Sequence, residues 1–123
     1  MADKVANRRE GAILHVVNNN PGARNALGPD YYKGLTAALG RAAADTGIAA
    51  VVLSGAGGFF CAGGDLNALR TRAAMSVPER LQAIEGLHGV IRAIRACPRP
   101  VIAAVEGGAA GAGASLALAC DLI

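Results

Sequence analysis

Two apolar runs, "IAAVVLSG" over 48–55 and "VIAAVEG" over 101–107, each end in glycine and hand over to a loop almost free of side chains. No other feature constrains the fold as much. A short, continuous run of Val, Ile, Leu and Ala suits a strand buried on both faces of a parallel sheet. Parallel strands need long crossover connections, so helices must lie between the runs. The loops that follow, "FFCAGGDL" at 59–66 and "GGAAGAGAS" at 107–115, hold little side-chain chemistry. Their backbone N–H groups are the working parts left.

The rest of the chain fits that frame. "GAILHVV" at 11–17 is β-rich and stops at the turn signal "NNNPG", with residues 5–9 as a partner strand. A helix is predicted from Pro29 to about Ala44, with Asp30 in its first turn and Tyr31, Leu35, Ala38, Leu39 and Ala42 at helical spacing. A short helix is predicted to begin near Asp65. The stretch 76–97 reads as the clearest helix: Ser76 and Glu79 form a capping box, Leu81, Ile84, Leu87, Ile91 and Ile94 an apolar stripe, and "PRP" stops it. The second glycine loop runs into a last helix. Alternating strands and helices give an α/β architecture.

Composition narrows the partners. With 53% hydrophobic and 17% charged residues among 123, a packed core is expected. Aromatics make up 3% with no Trp, and the net charge of +3 is scattered except at Arg92, Arg95 and Arg99. Nucleic acid, which asks for a dense basic face and stacking rings, is not expected as a partner; an anionic small molecule fits better. Cys61, Cys97 and Cys120 form no CxxC pair, so neither a disulfide framework nor a zinc site is suggested, and no metal is expected. "MADKVANRRE" has no apolar signal region, and the uncharged stretch 107–120 is shorter than the ~20 residues a spanning helix needs. A cytoplasmic protein with no membrane partner is the expectation.

Three nucleotide and nucleophile signatures fail. Gly111 and Gly113 begin a G-x-G without the third glycine of a dinucleotide fingerprint; no P-loop pattern occurs; Ser115 lacks the closing glycine of a nucleophile elbow. The glycines of one loop could serve helix–strand packing alone. Two such loops, each after a buried strand and before a helix, point instead to exposed N–H pairs, a ready anion site. Aimed at a carbonyl oxygen, such a pair is an oxyanion hole.

"GFFCAGGDL" and "RPVIAAVEGGAAGAGASLALACDL" resemble the two signature stretches of the crotonase superfamily, the enoyl-CoA hydratase/isomerase fold. "NNNPGARNAL" at 18–27 resembles its N-terminal N-x-P-x-x-x-N-A-L stretch. The blocks occur in family order, and the resemblance covers essentially the whole chain but about the first half of a typical member. It implies a crotonase-like ββα superhelix, a spiral core that reads here as truncated. Residues 1–123 are then expected to be the N-terminal part of one core domain, without the later helices through which members form trimers or hexamers.

The resemblance also implies an acyl-CoA thioester substrate, with coenzyme A entering as part of the substrate and no separate cofactor. Family members polarise the thioester carbonyl with two backbone N–H groups, at positions matching Gly64 and Ala112. By the same resemblance the CoA moiety lies against Ala23, Arg24, Ala62, Gly64, Asp65 and Leu66. Many relatives carry Lys at the position of Gly22, and Arg24 is the available replacement for the phosphates. Asp65 reads as a helix cap rather than a catalytic acid, and Asp121 as a structural acceptor. Glu106 is expected to find a polar partner or water. Cys61 is expected to be buried, and His15 and His88 are given no role.

One departure bears on the reaction. Hydratases of the family use two glutamates; the position of the first is Ser115, and the second would lie past Ile123. An enoyl-CoA isomerase, which can shuttle a proton with one carboxylate, is therefore the expected parent activity. A hydratase comes second. A CoA-ester-binding half-domain without turnover, or one that needs a complementary chain, is the non-catalytic alternative.

Overall fold

The computed structural model describes residues 3–123. A four-stranded sheet runs in the order β1 (Val5–Glu10), β2 (Ile13–Asn18), β3 (Ala50–Gly55) and β4 (Val101–Ala103). β1 and β2 form an antiparallel hairpin, while β2–β3 and β3–β4 are parallel, with Leu14 opposite Val51 and Leu53 opposite Ala103. The crossovers are α1 (Pro29–Ala44) between β2 and β3, and α2 (Leu66–Ala73) with α3 (Val77–Ala96) between β3 and β4. α4 (Ala112–Ala119) follows the second glycine loop.

α1 forms where the sequence predicts it. Pro29 occupies its first turn, Asp30 and Arg41 complement the dipole at its two ends, and Tyr31, Leu35, Ala38, Leu39 and Ala42 are buried. It lies against β1, β2 and β3, and α3 packs on α1 and α4. The core between them holds Leu14, Val16, Leu35, Val51, Leu53 and Val101, each fully buried. Burying a side chain of that size contributes about 1.5–3 kcal/mol.

Three details differ from expectation. The strands alternate: Val51 and Leu53 are buried, but Val52 and Ser54 are only half-buried, so one face of the sheet is closed and the other partly covered. β4 stops at Ala103; the Ala104 amide still donates to Leu53 of β3, but the chain then turns to pair with the first glycine loop through the Glu106 carbonyl, and Glu106 itself is exposed. On α3 the closed side is carried by Val90 and Ile94, while Leu81 is 60% exposed. The first turns of α3 extend beyond the core, so helical spacing alone overstates the buried stripe.

Candidate functional site

Three segments lie side by side where β2, β3 and β4 end. Residues 24–27 run along 62–64: the Ala62 N–H donates to the Arg24 carbonyl (3.0 Å) and the Leu27 N–H to the Gly63 carbonyl (2.7 Å). On the other side, residues 60–61 run along 106–110: Phe60 N–H donates to Glu106 (2.9 Å), Cys61 N–H to Gly108 (3.3 Å), and Ala110 N–H to Cys61 (3.0 Å). Parallel bridges Leu27–Gly64 and Cys61–Ala109 mark the pairing. The first glycine loop is thus clamped between the N-terminal block and the second glycine loop.

Glycine is required at two points of this contact. Gly63 has φ 98°, and a Cβ there would stand 2.8 Å from the Ala110 oxygen and 3.4 Å from the Ala112 nitrogen. A side chain at Gly113 would drive into the backbone and Cβ of Cys61. These contacts let the backbone beside Gly64 rest against the start of α4. Among the described residues no protein acceptor takes the amide hydrogen of Gly64 or of Ala112. Ala112 is the first residue of α4, where an N–H has no intrahelical partner and the helix dipole is positive. Its side chain packs against the core.

The six positions to which the resemblance assigns CoA line one groove of about 460 Å³, together with Gly22, Ala26 and Asn67. Ala112 and Ser115 do not line it; they stand on the α4 side of Gly63. Ser115 is exposed, with its hydroxyl 3.5 Å from the Gly111 carbonyl. Arg24 is exposed, adopts a left-handed backbone (φ 49°), and holds its guanidinium carbon 5.9 Å from the centre of the Phe59 ring. That is within cation–π range. Arg24 makes no ion pair among the described residues.

Asp65 caps α2: its Oδ1 accepts from the amides of Asn67 (2.8 Å) and Ala68 (3.1 Å). It is the one carboxylate lining the groove. Asp121 accepts from the Val101 amide at 2.8 Å and ties the chain end to β4. Cys61 is fully buried, burial raises its thiol pKa against the opposing effect of the Gly63 amide, and its sulfur is a poor nucleophile there. His15 and His88 lie away from the loops, on β2 and α3; His88 pairs with Glu85 at 3.2 Å, and the buried Nε2 of His15 has no partner among the described residues.

Sequence reasoning missed Asn25, which is fully buried at the centre of the N-terminal block. Its carboxamide donates to the carbonyls of Ala56 (2.9 Å) and Phe59 (2.6 Å) and accepts from the Asn20 amide (2.8 Å). An Asn between turn residues was the available signal, since Asn tolerates a left-handed backbone and bonds locally.

A sequence model described as enoyl-CoA hydratase/isomerase matches residues 8–123. The mitochondrial enoyl-CoA hydratase domain-containing protein 2 of Bos taurus is 41% identical over 111 residues, covering 89% of this chain and 36% of that protein. The peroxisomal Delta(3,5)-Delta(2,4)-dienoyl-CoA isomerase of Arabidopsis thaliana is 34% identical over 122 residues, covering 92% and 44%. The crystal structure of an enoyl-CoA hydratase from Polaromonas sp. JS666 superposes with a TM-score of 0.92 at 48% identity, covering 96% of this chain and 46% of the other. That of an enoyl-CoA hydratase/isomerase from Xanthobacter autotrophicus Py2 gives 0.91 at 30% identity, covering 98% and 45%. The chain spans less than half the length of the curated relatives it matches.

Proposed function

The chain belongs to the enoyl-CoA hydratase/isomerase family, and on that premise we propose that it binds an acyl-CoA thioester and stabilises an enolate of its acyl group with the amides of Gly64 and Ala112. One observation carries the reading: two amides without acceptors among the described residues sit on two glycine loops held backbone to backbone. Preorganised donors of this kind act where charge develops, and losing one typically costs ~10²–10³ in rate. The α4 N-terminus adds a favourable field for the negative oxygen.

Coenzyme A enters as part of the substrate. The groove of Ala23, Arg24, Ala62, Gly64, Asp65 and Leu66 supports its placement beside the hole. The Arg24 guanidinium, paired with no carboxylate among the described residues and braced by Phe59, suits the phosphates.

Within the family we favour an enoyl-CoA isomerase. The position of the first family glutamate is Ser115, which supplies no carboxylate, and Asp65 spends its Oδ1 on capping. A single acid/base elsewhere in the functional protein then moves the proton along the allyl system. Hydratase names among the relatives support a second reading, water addition. Cytoplasmic location and assembly into homotrimers or hexamers belong to the same proposal; among the described residues no helix is long and apolar enough to cross a membrane.

The test is to offer the purified protein a 3-enoyl-CoA and crotonyl-CoA in parallel. Double-bond migration is expected in the first and no hydration of the second. Rapid hydration would overturn the isomerase preference. Binding of both without turnover would leave a CoA-ester-binding protein.

A further inference from the structure

Every polar group of Asn25 is engaged. Beyond the three side-chain bonds, its backbone N–H donates to Asn20 (2.9 Å) and its carbonyl accepts from the Asn18 carboxamide (2.8 Å). Arg24 and Asn25 are consecutive non-glycine residues in the left-handed region, at φ 49° and 57°. Such strain persists only where surrounding bonds over-determine it. The bonds around Asn25 do this, and they reach two places at once. Its carboxamide fixes the turn at Ala56–Phe59 that leads into the first glycine loop. Its chain neighbours Arg24 and Leu27 hold Ala62 and Gly63 directly.

We propose that Asn25 is a positioning residue: it locks the CoA groove and the first glycine loop into one register and so sets where the Gly64 amide points. The inference rests on the reading of Gly64 as an oxyanion donor. Without the carboxamide, the Ala56 and Phe59 carbonyls lose their donor and the turn relaxes to find another. Gly64 shifts with it. Ala112 lies one contact farther from Asn25: it opens α4, and Gly113 joins that helix to the first glycine loop at Cys61.

Two variants separate the contributions. Asn25→Gly keeps the left-handed backbone without strain and removes the carboxamide. Asn25→Asp keeps the size and the acceptor for Asn20 but removes both donors. The probe is acetoacetyl-CoA, a β-ketoacyl thioester whose enolate absorbs in the near ultraviolet; calorimetry measures its binding separately. Both variants are expected to unfold cooperatively and to bind the probe, with the enolate band per bound probe reduced on the order of 10-fold, less than the loss of a whole donor. The Gly64 amide resonance in a ¹H–¹⁵N spectrum is expected to move in both, and that of Ala112 to move less. Folded variants with an undiminished band, or an unmoved Gly64 resonance, would overturn the role. A wild-type protein that binds the probe without an enolate band refutes the oxyanion reading instead; the Gly64 resonance then decides the positioning role by itself.

Discussion

At the scale of single residues, the site is made of absences and of one busy side chain. Gly63 is the clearest absence. Its φ of 98° and the 2.8 Å from its missing Cβ to the Ala110 oxygen leave no room for a methyl. Gly63→Ala is expected to part the two glycine loops and lower turnover by ~10² or more, as the loss of a donor does. A steady-state assay on folded protein checks it; near-normal turnover would mean that the loops are not held by this contact. The glycines were legible in the sequence because a loop that avoids side chains announces its backbone. Asp65 was legible too, since a carboxylate just before a helix caps it. Asn25 was not: its value lies in bonds to Ala56 and Phe59, more than thirty residues away, and local pattern does not encode such distances.

At the scale of elements, local signals succeeded where local chemistry decides. The Ser76–Glu79 capping box forms with both of its bonds, at 3.3 and 3.0 Å, and Pro29 starts α1. Pattern failed where burial depends on what lies opposite. Leu81 has the right spacing on α3 but no partner, and β4 ends early because the chain leaves to pair with the first glycine loop. α2 shows the consequence for stability. It has no buried residue, so its start is held by the Asp65 cap rather than by a core. Asp65→Ala is expected to cost about 1 kcal/mol and to remove the exchange protection of the Asn67 and Ala68 amides while leaving α1 protected. Hydrogen exchange reads this directly; unchanged protection in α2 would show that packing holds it.

At the scale of the molecule, one face of the sheet is sealed and the surface elsewhere carries large apolar side chains, among them Leu66, Val77, Leu118 and Leu122, each at least 60% exposed. The sealed side has its own pH signature. Burial, with the neighbouring Asp121 charge adding to it, pushes the Cys120 thiol from its ordinary 9.0 up to about 11, and burial pushes Tyr31 up as well. Across that window the unfolded chain has released protons that the folded chain still holds, so stability is full below pH 9 and falls as the pH rises towards 11. Denaturant midpoints measured from pH 8 to 11 are expected to fall, with a shallower slope in Cys120→Ala; equal slopes would place the alkaline loss elsewhere. The central claim is more local and has a more direct test, a crystal structure of the protein with an acyl-CoA bound. The thioester oxygen is expected about 2.7–3.1 Å from both the Gly64 and the Ala112 nitrogens, with the nucleotide end in the groove beside Arg24. A thioester oxygen touching neither nitrogen would contradict it.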